Sequence, residues 1–111
     1  MEIKSYERDG VVIIEVNGRL DAEHAEALRT EFLQQITSHR KFVLDLAGMD
    51  YLDSTGLGAV VFCLKSSNEY GGCLKLANLG SKPRMIFTIT RAYKIFDIYD
   101  DLDSAVNAVN A

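Results

Sequence analysis

One short junction, where a strand pattern gives way to a helical pattern, constrains the fold of this chain most strongly. Residues Phe42–Leu46 are nearly all apolar, which is typical of a strand covered on both faces. From Leu57 onward, apolar residues recur at the i, i+3, i+4, i+7 spacing of one helix face. The hexapeptide Asp53–Gly58 lies between the two patterns and is therefore predicted to open a helix.

This hexapeptide, DSTGLG, combines capping residues with two glycines. Asp53 or Ser54 can accept hydrogen bonds from the unpaired N–H groups of the first turn. Each glycine costs a helix about 1 kcal/mol relative to alanine, which suggests that another backbone or a ligand comes close. The positive end of the helix dipole favours an anion there. Two interpretations remain open: Ser54 carries a phosphate, or Ser54 only caps the helix and the glycines only serve packing.

The strand patterns elsewhere predict a mixed sheet. Asp9-Gly10 supplies the positive φ angles of a tight hairpin turn, so we expect the chain to begin with an antiparallel pair. The predicted strands are Ile3–Glu7, Val11–Val16, Phe42–Leu46, Leu74–Ala77 and Ile95–Tyr99. Residues Ala47–Leu52 are predicted to form a connection.

Four helical patterns alternate with these strands. The first helix is expected to be capped by Asp21, and the second to run from Thr55 to Tyr70. The predicted buried face of the first helix is Ala25, Leu28, Phe32 and Ile36. In the third helix it is Met85, Ile86 and Ile89. In the fourth helix it is Leu102, Ala105, Val106 and Val109. Crossovers of this length join parallel neighbours. The sequence therefore predicts one α/β domain over residues 1–111, with about four helices packed against a mixed sheet of about five strands.

Composition excludes several classes of function. With 111 residues, 48% hydrophobic and 25% charged, the chain has the composition of an ordinary globular protein. Its formal net charge of −4, with no dense basic run, argues against direct binding to nucleic acid. No apolar stretch reaches the roughly 20 residues that span a bilayer, and no secretory apolar core follows Met1. We expect a cytoplasmic protein without membrane contact.

The chain lacks the motifs of the enzymes that a serine or a glycine-rich turn would suggest. A nucleophile elbow needs glycine two residues before the serine, where this chain has Leu52. A P-loop needs lysine after its last glycine, where Ala59 stands, and the third glycine of a dinucleotide fingerprint is missing. His24 and His39 both fall in the first helical pattern. Serine hydrolysis therefore ranks low, both nucleotide-binding motifs fail, and no cofactor is predicted.

Candidate metal ligands have simpler explanations. Asp97, Asp100, Asp101 and Asp103 match no calcium-binding loop, and they stand where a helix needs capping acids. Cys63 and Cys73 are predicted to be small apolar groups rather than a disulfide or a metal site. No metal site is predicted.

The hexapeptide, preceded by Gly18-Arg19-Leu20-Asp21, resembles the STAS domain of the anti-sigma factor antagonist family. The likeness extends through Asn78-Leu79 and the helix start near Pro83 to Phe96–Tyr99. In that family, the serine after the aspartate is phosphorylated by an anti-sigma factor with a histidine-kinase-like ATPase fold. The resemblance implies that Ser54 is the phosphate acceptor, with Thr55 as the alternative.

The resemblance further implies a binding switch. The unphosphorylated protein would bind an anti-sigma factor with serine kinase activity and so free a sigma factor for transcription. The phosphorylated form would not bind until a metal-dependent serine phosphatase resets it. The partner-binding residues implied are Asp21, Asp53, Ser54, Thr55, Gly56, Leu57 and Gly58. The alternative is a constitutive STAS interaction or scaffold subunit, of the stressosome or lipid-transport type, without phosphoregulation.

Overall fold

The hairpin predicted at Asp9-Gly10 begins the sheet. In the computed structural model, which describes residues 1–111, strand β1 (Glu2–Arg8) pairs antiparallel with strand β2 (Val11–Leu20). Asp9 has φ +54° and Gly10 has φ +79°. Both lie in the left-handed region that tight hairpin turns require.

All other strand pairs are parallel. The remaining strands are β3 (Lys41–Asp45), β4 (Met49–Leu52), β5 (Cys73–Ala77) and β6 (Ile98–Tyr99). The sheet order is β1-β2-β3-β5-β6, and β4 pairs with the end of β2 beyond β3. The sheet is therefore mixed, as predicted, with six strands rather than about five.

Strand β4 lies in the segment that the sequence analysis assigned to a connection. Its burial does not alternate: Met49 and Leu52 are buried, whereas Asp50 and Tyr51 are exposed. It is four residues long and pairs only with Gly18–Leu20, and the register shifts between Gly18 and Arg19 so that Asp50 has no partner in β2. This extra residue breaks the alternation of side chains along β4, so the period of two that identifies strands is absent.

The helices are α1 (Ala25–Ile36), α2 (Ser54–Glu69), α3 (Ser81–Ile89) and α4 (Leu102–Val109), with a 3-10 turn at Ala92–Lys94. Successive residues of β2 point to opposite faces of the sheet. Val12 and Ile14 pack into the larger core beneath α1, α2 and α3, whereas Val11 and Ile13 pack beneath α4. Both faces of the sheet are thus covered, which accounts for the continuous apolar pattern of the inner strands.

The predicted buried face of α1 is confirmed, since Ala25, Leu28, Phe32 and Ile36 are all buried. Three residues of the α4 face, Ala105, Val106 and Val109, are also buried. No helix combines the length and the apolar character required to cross a membrane.

The predicted buried face of α3 is wrong at Met85 and Ile89, whereas Ile86 is partly buried against the main core. Met85 and Ile89 are 62% and 77% exposed, and the buried residues of this helix are Pro83 and Phe87. The larger ring of Phe87 takes the core position, where its centroid lies 5.6 Å from that of Phe96. Met85 and Ile89, which are four residues apart, therefore face outward.

The last strand is shorter than predicted. Arg91 has φ +60° and precedes the 3-10 turn, and the strand begins only at Ile98, directly after the Asp97 carbonyl that accepts from the Leu76 N–H of β5 at 3.0 Å. The predicted strand Ile95–Tyr99 is correct only at Ile98–Tyr99. The first three residues lie in the 3-10 connection and the bend that follows it.

The two cysteines are unpaired and should differ in reactivity. Burial within α2 raises the pKa of the Cys63 thiol to about 12, whereas Cys73 is partly exposed at the start of β5. Because the thiolate is the reactive form, iodoacetamide at pH 8 should alkylate Cys73 in the native protein and spare Cys63. Peptide mass mapping would check this result. Labelling of native Cys63 at the rate seen in urea would contradict it.

Candidate functional site

The first turn of α2 is capped by Asp53. This residue is extended, with φ −107° and ψ −177°, and its carboxylate accepts a hydrogen bond of 2.8 Å from the backbone N–H of Gly56. Ser54 is the first helical residue and is exposed, and its hydroxyl makes no hydrogen bond within the chain. The capping role that the sequence left open between Asp53 and Ser54 therefore falls to Asp53.

The two glycines of the hexapeptide have different surroundings. A Cβ added to Gly56 would lie 2.1 Å from the carbonyl oxygen of Leu20, the last residue of β2. A Cβ added to Gly58 would meet no atom within 4 Å, and Gly58 is exposed. Gly56 thus permits a close approach within the chain, whereas at Gly58 the fold itself leaves room for a side chain.

Of the remaining residues of the hexapeptide, one is buried and one is exposed. Leu57 is buried in the main core, which supports the interpretation of its spacing as a core position. Thr55 is exposed beside Ser54. The surface at the start of α2 is therefore formed by Ser54, Thr55 and Gly58, and Gly56 and Leu57 hold it in place.

The ends of β2 and β4 bring Asp21 to the same edge as Asp53. Leu20 is in register with Leu52, and the backbone N–H of Asp53 donates to the Leu20 carbonyl at 3.4 Å. Each aspartate directly follows one of these paired residues. Two carboxylate-bearing residues thus lie at the strand ends beside the start of α2.

Asp21 is not the cap of α1, since the helix begins at Ala25 and a turn precedes it. The Asp21 carbonyl instead accepts from the N–H groups of His24 and Ala25, at 3.1 and 2.9 Å. Its carboxylate lies 2.7 Å from His24 Nδ1 and 3.5 Å from Arg19 Nε. Partial burial opposes ionisation, but the hydrogen bond of His24, its charge when the imidazole is protonated, and the charge of Arg19 hold the pKa of Asp21 below its ordinary value.

Arg19 and Tyr51 are neighbours of the site that the sequence analysis did not select. The two residues are in register across β2 and β4, and the Arg19 guanidinium carbon lies 3.8 Å from the centroid of the Tyr51 ring. A cation over an aromatic ring at this distance is attractive. No sequence signal could have paired them without knowledge of β4.

The acidic residues near the C-terminus have roles within the fold. Asp101 caps α4 by accepting from Ser104 N–H at 2.7 Å, and this hydrogen bonding lowers the pKa of Asp101. Asp97 pairs with Lys75 at 2.6 Å, and Asp103 pairs with Arg8. The interpretation of this run as capping acids is confirmed at Asp101.

The only cluster of three side chains that could bind a metal ion lies near the start of α1. One atom each from Asp21, Glu23 and His24 lies within 4.8 Å of the others. Asp21 already uses its carboxylate to accept from the backbone N–H of Glu23 and to contact His24. These contacts account for the arrangement without an ion, and we assign no metal to it.

Comparison with known proteins places this geometry in a family. The family model of the STAS domain matches residues 2–105. The chain belongs to the STAS domain family. It is 32% identical over 98 residues to the anti-sigma-B factor antagonist of Bacillus subtilis, covering 88% of each chain. The resemblance identified from the hexapeptide and Gly18–Asp21 is thereby confirmed.

Solved structures agree with this assignment. The crystal structure of an anti-sigma factor antagonist from Mycobacterium paratuberculosis superimposes with a TM-score of 0.89 at 26% identity, covering 99% of this chain and 94% of that one. The Bacillus cell fate determinant SpoIIAA in its phosphorylated form gives a TM-score of 0.75 at 18% identity, covering 97% and 99%. The second likeness shows the shared fold alone.

The two glycines should respond oppositely to the same substitution. Gly56→Ala forces a methyl group against the Leu20 carbonyl and should lower the free energy of unfolding by about 1–3 kcal/mol, as overpacking does. Gly58→Ala enters open space and should raise it by up to about 1 kcal/mol, since alanine favours the helix. Urea unfolding of both variants measures the difference. Equal effects would contradict the assigned roles.

The ionised form of Asp21 should stabilise the fold in a pH-dependent way. Because the folded state lowers the pKa of Asp21, this stabilisation is complete above the unfolded pKa of about 4 and is lost as pH falls through the folded value. Asp21→Asn should therefore destabilise the protein at pH 7, and its difference from wild type should shrink in acid. Unfolding curves from neutral pH into acid would check this, with the exposed Asp50→Asn as the control. A constant difference would count against it.

Proposed function

We propose that this STAS domain is a phosphorylation-controlled anti-sigma factor antagonist. Unphosphorylated, it binds an anti-sigma factor with serine kinase activity and frees a sigma factor for transcription. Phosphorylation at Ser54 prevents that binding, and a serine phosphatase restores it. The observation that carries the proposal is the exposed Ser54 hydroxyl, which no hydrogen bond occupies, at the start of a 16-residue helix.

The names of the relatives support the general role. The Bacillus subtilis relative is an anti-sigma-B factor antagonist, and the Mycobacterium structure is of an anti-sigma factor antagonist. SpoIIAA, which shares the fold, has been solved in a phosphorylated form. In the proposed function, residues 1–111 act as one binding domain in the cytoplasm. The domain is a substrate of enzymes rather than an enzyme, with no direct contact to nucleic acid or membrane.

The start of α2 can accept a phosphate without loss of the fold. Free N–H groups and the helix dipole favour an anion at this end. The first turn contains no acidic residue, and the cap is provided by Asp53, which phosphorylation of Ser54 leaves in place. Thr55 is also exposed and is the alternative acceptor. The position of Ser54 directly after Asp53 supports the assignment to Ser54.

A bound partner would be affected more strongly than the fold. A phosphate adds about −1.5 to −2 charges at pH 7, beside the two carboxylates of Asp21 and Asp53. Arg19, the cation beside Asp21, is already engaged with that carboxylate and with the Tyr51 ring. A partner surface fitted to neutral Ser54 and to the open space at Gly58 would have to desolvate this charge. Phosphorylation should therefore release the partner and leave the domain folded.

Substitution of Ser54 should separate binding from stability. Ser54→Asp should weaken binding to the anti-sigma factor by more than tenfold, or about 1.4 kcal/mol, with little change in the thermal midpoint. Ser54→Ala should keep both binding and stability, because Asp53 holds the cap. Titration calorimetry measures the affinity. Ser104→Asp is the matched control, an exposed serine in the first turn of α4. Equal affinity of wild type and Ser54→Asp would contradict the switch.

The acceptor can be identified from protein purified from its own cells with phosphate preserved. Intact mass and phosphopeptide mapping should place one phosphate on Ser54. A phosphate on Thr55 would keep the switch and move the acceptor. Absence of phosphate under all growth conditions would favour the constitutive interaction subunit instead.

A further inference from the structure

The surface of α3 and the turn after it collects exposed apolar side chains. Met85, Ile89, Tyr93 and Ile95 are 62%, 77%, 47% and 54% exposed. The whole chain has eight exposed large hydrophobic residues, and half of them fall within residues 81–95. We call the exposed residues of this segment the α3 face. A cluster of this kind marks an interaction surface more often than single exposed residues do.

The α3 face is also the most basic part of the molecule. It contains Lys82, Arg84, Arg91 and Lys94, all exposed, and no acidic residue. The segment therefore carries a formal charge of +4, whereas the rest of the chain carries −8. The basic residues are spaced along a helix and a turn, so they do not form a run in the sequence.

None of these four basic side chains forms a salt bridge, whereas several cations elsewhere do, such as Lys75 with Asp97 and Arg8 with Asp103. Arg84 donates only to the backbone carbonyl of Leu79, at 3.2 Å. In a chain with an excess of carboxylates, such a concentration of unpaired positive charge is suited to an anionic partner from outside the molecule.

A groove beside this surface indicates the shape of that partner. It lies between α3 and β4, has a volume of about 380 Å³, and is lined mainly by apolar side chains. Its lining includes Tyr51, Met85, Ile86 and Ile89, and Asp50 is its one carboxylate. A groove of this kind accepts the side chains of a protein segment, which a flat lipid surface does not offer.

We propose that the α3 face docks an acidic amphipathic helix of a protein partner. Apolar side chains of that helix fill the groove beside Met85 and Ile89. Its carboxylates pair with Lys82, Arg84, Arg91 and Lys94. This docking goes beyond the switch at Ser54, because it uses different side chains and does not require a particular phosphorylation state.

The test uses two labelled helical peptides with the same leucine positions, one with glutamate and the other with lysine at the polar positions. The wild-type domain should bind the glutamate peptide at low salt, at least about tenfold more tightly than the lysine peptide. High salt should weaken this binding, because it screens exposed charges. Fluorescence anisotropy measures both affinities.

Variants of the α3 face locate the binding. Lys82→Glu with Lys94→Glu, and separately Met85→Ser with Ile89→Ser, should each reduce affinity for the glutamate peptide at least about tenfold. All four side chains are exposed, so the thermal midpoints should change little. The matched controls are Lys65→Glu on α2 and Leu33→Ser on α1, both exposed, which should bind as wild type does.

Three results would overturn the proposal. Equal binding of both peptides would remove the charge selection. Binding to vesicles of anionic phospholipid, without binding to the glutamate peptide, would assign the face to a lipid surface. Self-association abolished by Met85→Ser with Ile89→Ser, again without peptide binding, would assign it to a second copy of the chain. Ser54→Asp should bind the glutamate peptide as wild type does, so this proposal and the switch can fail separately.

Discussion

The approach of α2 to the last carbonyl of β2 is the contact on which the rest of the site depends. The absence of a Cβ at Gly56 lets the first turn of the helix lie against Leu20, where a methyl group would come within 2.1 Å of the carbonyl oxygen. The same carbonyl accepts from the N–H of Asp53. The entry of the chain into α2 is therefore fixed from both sides, and Asp53 is held where its carboxylate caps the helix.

This arrangement separates the residues that build the site from those that present it. Gly56 and Leu57 are buried, and Asp53 satisfies a backbone donor of the first turn. Ser54 and Gly58 make no comparable contribution to the fold. The Ser54 hydroxyl makes no hydrogen bond within the chain, and a side chain at Gly58 would enter open space. A charge added at the exposed residues can therefore change the surface while the interactions that hold the helix remain. A switch that acts on binding without unfolding needs this separation.

Much of the fold could be predicted because its signals are local. The spacing of apolar residues along α1 and the cap at Asp101 depend on the chain within a few residues, and both predictions are confirmed. Strand β4 could not be predicted, since its four residues take their conformation from pairing with β2. The different surroundings of Gly56 and Gly58 could not be predicted from the sequence either. The difference depends on the position of a carbonyl that is 36 residues earlier in the sequence than Gly56.

The apolar residues of α3 that were wrongly predicted to be buried lie at the surface of the molecule. Two apolar sets on one short helix compete for a single core, and Phe87 with Pro83 occupies it. Met85 and Ile89 then remain at the surface, where they gain little for folding. Both line the groove that we propose docks a partner, and Tyr51 joins this groove to the edge that holds Arg19 and Asp21. Apolar residues that have the spacing of a buried helix face but lie at the surface can thus indicate a binding surface.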